Sequence, residues 1–204
     1  MKMLDLFSGL GGASEAMLNH GWEVKRIEKN PELVLVPNTE IMDVYDLGQL
    51  LDINIADGHY PDQPTLIWAS PPCTDFSNGF SSPKSIAIRA GEKYNPQEAI
   101  DMVIETKRII DLIQPKYWIL ENVRGSIKYI SEILGPPRLI IDSIVLWGRF
   151  PLWAMPPNYK HVKEDAWSTT PLRANIRAKI PYEVSDACRQ SIENTRTLDY
   201  WFSP

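Results

Sequence analysis

The first twenty residues constrain the fold of this chain most. Lys2-Met3-Leu4-Asp5-Leu6 reads as a short strand, Phe7-Ser8-Gly9-Leu10-Gly11-Gly12 as a glycine-rich turn, and residues 13–20 as a helix closed by Gly21. Closely spaced glycines free the backbone for a sharp turn, and a glycine just past a helix is a usual C-terminal stop. A strand feeding through such a turn into a helix opens an α/β fold, with a mostly parallel sheet and helices on both faces.

The rest of the chain continues the alternation. Residues 22–27 form the expected second strand, ending at Glu28, and residues 40–42 a short third strand, ending at Asp43. Thr65-Leu66-Ile67-Trp68-Ala69 is a buried apolar run entering Ser70-Pro71-Pro72-Cys73. Residues 77–95 lack periodicity and read as a long mobile loop. A long amphipathic helix starts at Asn95-Pro96, and residues 117–120 form a strand that delivers Glu121 at its carboxyl end. Residues 139–147 read as one more strand, residues 150–174 as an irregular Pro- and Trp-rich segment, and Pro181 opens a final helix. The fold class expected is therefore a doubly wound, mostly parallel α/β sheet. Ligands of such sheets sit at the carboxyl ends of the strands, and Asp5, Glu28, Asp43, the Pro-Pro-Cys turn and Glu121 all fall there.

Composition narrows the class. With 204 residues, 44% hydrophobic and 23% charged, the chain suits one soluble domain over residues 1–204. No apolar run is long enough to cross a bilayer, and Met1 leads straight into a strand, so neither membrane attachment nor a signal peptide is expected. Two cysteines, Cys73 and Cys188, argue against a structural disulfide and for a reducing cytoplasm. The absence of CxxC and HExxH patterns argues against a metal site. A net charge of −5 disfavours a broad nucleic-acid footprint. Lys160, His161, Lys163, Arg173, Arg177 and Lys179 nevertheless gather late in the chain, as either a solvated surface or a phosphate-facing edge.

Each chemical element has two readings on its own. Gly9, Gly11 and Gly12 let backbone approach a ligand, or simply make a tight turn; Glu28 is a carboxylate for ribose hydroxyls or an exposed strand-end acid, and Asp43 a weaker example of the same. That set serves a dinucleotide or S-adenosylmethionine equally well. Pro71 and Pro72 fix φ and hold Cys73 in one orientation, which suits a nucleophile as well as a small buried thiol. Glu121 is either a helix cap or an acid whose burial keeps a proton near neutral pH.

In their order along the chain, these motifs resemble those of the DNA cytosine-5 methyltransferase family. Residues 5–12 are similar to its cofactor motif, Pro71-Pro72-Cys73 to its nucleophile motif and Glu121-Asn122-Val123 to its acid motif. Ile180-Pro181-Tyr182-Glu183-Val184-Ser185 resembles its last motif, whose helix returns to the cofactor site. The short length and the Leu146-Trp147-Gly148 strand end look most like compact phage and prophage members.

The resemblance implies a Rossmann-like methyltransferase sheet and S-adenosylmethionine as cofactor. Asp5, Phe7, Gly9, Gly11, Gly12, Glu28, Asp43, Pro71 and Pro72 would line that cofactor's site. The substrate implied is a cytosine flipped out of DNA. Cys73 would add to its C6, with Glu121 at N3 and Asn122 and Val123 completing the acid motif. Ser77, Lys84 and Arg89 would meet the DNA from the loop over the base, which also carries Lys93.

Three departures stand against the family pattern. The Gln-x-Arg-x-Arg segment is missing, leaving Arg149, or else Arg138, to supply its cytosine-contacting arginine. Thr74 follows the nucleophile where Gln is common, and Arg177-Ala178-Lys179-Ile180-Pro181 lacks the usual Gly-Asn. Residues 150–174 are also all that stands in place of a target-recognition region, with Trp153 and Trp167 as base wedges or core. Short or relaxed specificity follows, or specificity borrowed from a protein partner. A degenerate non-catalytic homologue, a methyltransferase for RNA or nucleotide cytosine, and an NAD-type oxidoreductase remain alternatives at this point.

Overall fold

The computed structural model describes residues 1–162 and 169–202, with side chains through 195. Lys163 and Trp167 lie outside the described residues. Among the described residues one sheet forms from β1 (Lys2–Leu6), β2 (Glu23–Glu28), β3 (Thr39–Ile41), β4 (Leu66–Ala69), β5 (Tyr117–Val123), β6 (Leu139–Ile141) and β7 (Ile144–Arg149). The spatial order is β3-β2-β1-β4-β5-β7-β6. All pairs are parallel except the two that β7 makes, with β5 and with β6. The order reverses between β1 and β4, which places the crevice of a doubly wound sheet above their carboxyl ends.

Helices cover both faces. On one face, α1 (Glu15–Asn19) and α7 (Tyr182–Phe202) pack against Met3, Trp68 and Leu146. On the other, α2 (Val44–Ala56), α4 (Gln97–Ile113) and α5 (Ile127–Leu134) bury Leu51, Ile109, Val103 and Ile130 against Leu6, Ile67 and Leu120. With both faces covered, the central strand β4 is apolar throughout, Leu66-Ile67-Trp68-Ala69, and wholly buried.

Two expectations need correction. Residues 139–147 are not one strand: Asp142, at φ 50°, turns the chain with Ser143 into the β6–β7 hairpin. Asp tolerates that left-handed backbone better than β-branched neighbours do, so the hairpin breaks there. The segment 77–95 is not structureless either. It holds α3 (Pro83–Arg89), with Pro83 in its first turn and the Ser82 hydroxyl accepting from the Ser85 N–H at 3.2 Å.

Candidate active site at the carboxyl edge of the sheet

The glycine turn is held from below and from the side. Gly9 N–H donates to Glu28 Oε2 at 2.9 Å, and Asn30 N–H to Glu28 Oε1 at 2.9 Å, so the end of β2 fixes the start of the turn. A carboxylate offers about four lone pairs, so Glu28 keeps acceptor capacity for ligand hydroxyls. Phe7 adopts φ 58°, an uncommon backbone for an aromatic residue, and lines a small cavity with Ile27, Met42, Asp43 and Met102. Asp43 also caps α2, its Oδ1 accepting from Tyr45 N–H at 3.0 Å.

Beneath the turn lies Asp5, 1% exposed. Its Oδ2 accepts from the Ser14 hydroxyl at 2.5 Å, while Oδ1 has no protein partner, and neither has the buried Ser8 hydroxyl. Burial pushes the Asp5 carboxyl up to about 7, against the opposing pull of Ser14 and Arg26. Buried polar atoms without protein partners are rare, and a ligand or ordered water at the turn would complete the bonding of these two. Orphaned oxygens at the turn, an apolar cavity beside Phe7 and a carboxylate at the end of β2 fit an adenosyl cofactor with an amino-acid tail.

The C-terminal motif closes this pocket. Ser185 on α7 donates its hydroxyl to Ala13 O at 2.9 Å and accepts from Ala16 N–H at 3.2 Å. A Cβ on Gly12 would collide with the Ile180 carbonyl oxygen. Gly12 thus serves close packing of α7 onto the turn, and α6 (Arg173–Ala178) brings Asn175 over Gly9. Asn175 had no sequence signal of its own, since only its fold neighbour reveals it. Lys179, of the late basic cluster, pairs with Glu15 at 2.8 Å.

The Cys73 turn leaves β4 next to the end of β5, where Ala69 is paired with Leu120. Phe76 and Ser77 N–H groups both donate to Cys73 O, at 3.1 and 2.9 Å, winding the turn tightly. The wholly buried Asn122 donates its Nδ2 to Pro71 O at 3.0 Å, and its Oδ1 accepts from Val123 N–H. A Cβ on Gly125 would collide with the Phe76 carbonyl oxygen, and the Phe76 side chain is buried. Thus the strand that carries Glu121 also clamps the turn that carries Cys73. The Cys73 turn is half-buried, whereas Cys188 is fully buried and its thiol pushed far up by desolvation, which leaves it inert.

The residues expected to meet DNA are placed unevenly. Ser77 Oγ accepts from Gly79 N–H at 3.1 Å, Lys84 Nζ donates to Asn78 Oδ1 at 2.7 Å, and Arg89 lies 3.9 Å over the Phe80 ring. All three sit on the α3 segment beside the Cys73 turn. Arg149 is a correction. It pairs in register with Trp118, three residues before Glu121, and donates to Pro115 O at 2.6 Å. Because β7 runs antiparallel, its last residue falls at the amino edge of the sheet, roughly 10 Å from Glu121. Arg138 is held at Phe150 O, likewise away from the site. Arg124, overlooked in the sequence, follows β5 directly at the carboxyl edge and donates Nε to Asp142 O at 2.6 Å. Trp153 packs on Phe150, with centroids 5.2 Å apart, as core.

With this geometry in view, a match to known families decides the identity. The family model of C-5 cytosine-specific DNA methylases matches residues 1–131, well over half the chain. The chain belongs to that family. The Type II methyltransferase M.HindV of Haemophilus influenzae is 28% identical over 72% of this chain and 44% of its own length. M.HgiDI of Herpetosiphon aurantiacus is 29% identical over 72% of this chain and 46% of its own length. M.HgiGI, also of Herpetosiphon aurantiacus, is 29% identical over 60% of this chain and 90% of its own length. The chain therefore spans less than half of the first two relatives. A methyltransferase structure from Agrobacterium tumefaciens overlaps 73% of this chain and 55% of its own, at 15% identity and a TM-score of 0.43. The fold assignment rests on the strand order alone. Among the described residues no helix is long and apolar enough to cross a membrane.

Proposed function

We propose that this chain transfers a methyl group from S-adenosylmethionine to C5 of cytosine in DNA, through a covalent bond from Cys73. The observation that carries the reading is the Asn122–Pro71 bond, which fixes the nucleophile turn to the strand bearing the candidate acid. A nucleophile and an acid that act on one ring need such mutual positioning.

The residues divide the work as follows. Cys73 Sγ, as thiolate, adds to C6 of the flipped base, and the C5=C6 π pair moves into the ring. Glu121 hydrogen-bonds and protonates N3, which accommodates that charge. S-adenosylmethionine supplies the electrophilic methyl group that C5 takes. The pair of the broken S–CH3 bond stays on the departing S-adenosylhomocysteine. Water then takes the C5 proton, the C5–H pair restores C5=C6 and expels the Cys73 thiolate, and N3 returns its proton to Glu121. Phe7, Glu28 and Asp43 hold the adenosine part of the cofactor, and the glycine turn with Asp5 receives its tail. Arg124 takes the place at the DNA-facing edge that Arg149 does not occupy: Nε is held by Asp142 O, which leaves its terminal nitrogens as a fork for an anionic or carbonyl oxygen.

Specific DNA readers bury on the order of 1,000 Å² or more of protein surface. In this chain the β6–β7 connection is a tight turn, and residues 150–174 are a short segment. We therefore read its sequence preference as short or relaxed. The test is transfer of labelled methyl to mixed-sequence duplex DNA, digested to nucleosides. The expected product is 5-methylcytosine, lost in Cys73→Ser while calorimetric cofactor affinity is retained. A Cys73→Ser chain with half the wild-type rate would remove the nucleophile from the account.

A further inference from the structure

We propose that Arg26 is a positioning residue for the cofactor pocket, fixing the glycine turn through Gly11 and the Asp5 carboxyl through Ser14. This rests on reading that pocket as the S-adenosylmethionine site. Arg26 lies inside β2, paired in register with Asp5 on β1, and is only 3% exposed. A guanidinium is seldom buried without dedicated partners, and here each nitrogen has one. Nε donates to Ser14 Oγ at 2.9 Å, Nη1 to Pro37 O at 2.7 Å and Nη2 to Gly11 O at 3.2 Å. Gly11 adopts φ 74°, and a Cβ there would lie 2.6 Å from the guanidinium carbon. The turn is thus wrapped on the arginine, with no space for any other residue at position 11.

The charge of Arg26 reaches Asp5 at one remove. Ser14 accepts from Arg26 and donates to Asp5 Oδ2, so one hydroxyl links the cation of β2 to the acid of β1. Asp5 Oδ1, the orphan, is left for a ligand. The other charges facing this network are Glu28 on β2, which opposes ionisation of Asp5, and Glu15 on α1, which faces Arg26 and is itself paired with Lys179. Burial holds Asp5 near neutrality in its titration, and Arg26 is among the groups that keep it from rising further. An ammonium-bearing ligand over the turn binds the ionised carboxyl more tightly, so its affinity rises with pH through that range.

S-adenosylhomocysteine, titrated calorimetrically into the full chain from pH 5.5 to 8.5, tests the assignment without turnover. Wild type is expected to show affinity rising with a midpoint near neutral pH. Arg26→Gln removes the charge; its midpoint should move upward and its affinity at pH 7 fall about tenfold. Arg26→Lys keeps the charge but not the fork, so its midpoint should stay while affinity drops several-fold at every pH. Ser14→Ala breaks the link with Arg26 intact, moves the midpoint upward and covers the case of an Arg26→Gln chain that does not fold. A merely structural role would lower affinity without moving the midpoint. Wild-type binding with unmoved midpoints in Arg26→Gln and Ser14→Ala overturns the assignment alone. A wild-type chain that binds no S-adenosylhomocysteine at any pH overturns the cofactor reading and this assignment together.

Discussion

Asp5 shows how a single residue couples the pocket to the stability of the fold. Its carboxyl is raised from 3.8 to about 7 in the folded chain, mainly by burial. The folded state therefore holds this proton more tightly than the unfolded state does. Its contribution to stability is full below pH 4, falls as pH rises towards 7 and is level above that. At ~1.4 kcal/mol for each pH unit, the window amounts to a loss on the order of 4 kcal/mol. Melting temperatures of the ligand-free protein should accordingly decline from pH 4 to pH 7 more steeply in wild type than in Asp5→Asn. Parallel curves for the two proteins would place the Asp5 titration elsewhere. This acid was legible in the sequence as a strand-end carboxylate, but its partner was not. Arg26 reads as an ordinary alternating strand residue, and only the parallel pairing of β1 with β2 sets it beneath Gly11.

At the scale of elements, the site depends on how β5 grips the turn after β4. Asn122 and Gly125 flank the Cys73 turn, one by a hydrogen bond to Pro71 O and the other by leaving space for the Phe76 carbonyl. Gly125→Ala forces that carbonyl away and moves the turn with it. Displacing a reacting group by about 1 Å can cost ~10²-fold in rate, so kcat for methyl transfer should fall by about that factor. Cofactor affinity should fall far less than kcat, since Glu28 and the glycine turn are built on β1 and β2. Methyl-transfer kinetics beside calorimetry check both halves, and a wild-type kcat would show that the turn does not depend on Gly125. The strands that present chemistry were readable from the breaks near their ends, glycine-rich after β1 and Pro-rich after β4, although β5 runs on through Glu121 to Val123 rather than stopping before it. Helix α2 was passed over because Asp43 was read only as a ligand or a strand-end acid, and its role as the N-cap of α2 emerges from the fold. The β6–β7 hairpin was hidden because Asp142-Ser143 interrupts an apolar run for only two residues. That miss displaced Arg149, whose position depends entirely on the direction of β7.

Over the whole molecule, the sheet order sets two groups of candidate site residues side by side. The glycine turn and Glu28, proposed to hold the cofactor, lie over β1 and β2, the Cys73 and Glu121 motifs lie over β4 and β5, and the crevice runs between them at the reversal of strand order. The fold class was legible because short strands, with the apolar run Leu66–Ala69 at the centre, alternate with helical stretches. The closing of the pocket by α7 and α6 was legible only in part. The Ile180–Ser185 motif marked α7, whereas the approach of Asn175 to Gly9 depends on packing between segments far apart in sequence. The chain spans less than half the length of M.HindV and M.HgiDI. The most direct measurement is incubation with S-adenosylmethionine and a duplex pool containing 5-fluorocytosine, followed by denaturing mass spectrometry. Fluorine at C5 blocks the final proton loss, so turnover leaves protein and DNA joined. The account predicts a methylated adduct on the Cys73 peptide, absent in Cys73→Ser, with trapped sequences sharing at most a few base pairs. Methylated cytosine formed without any adduct, or an adduct on Cys188, would contradict it.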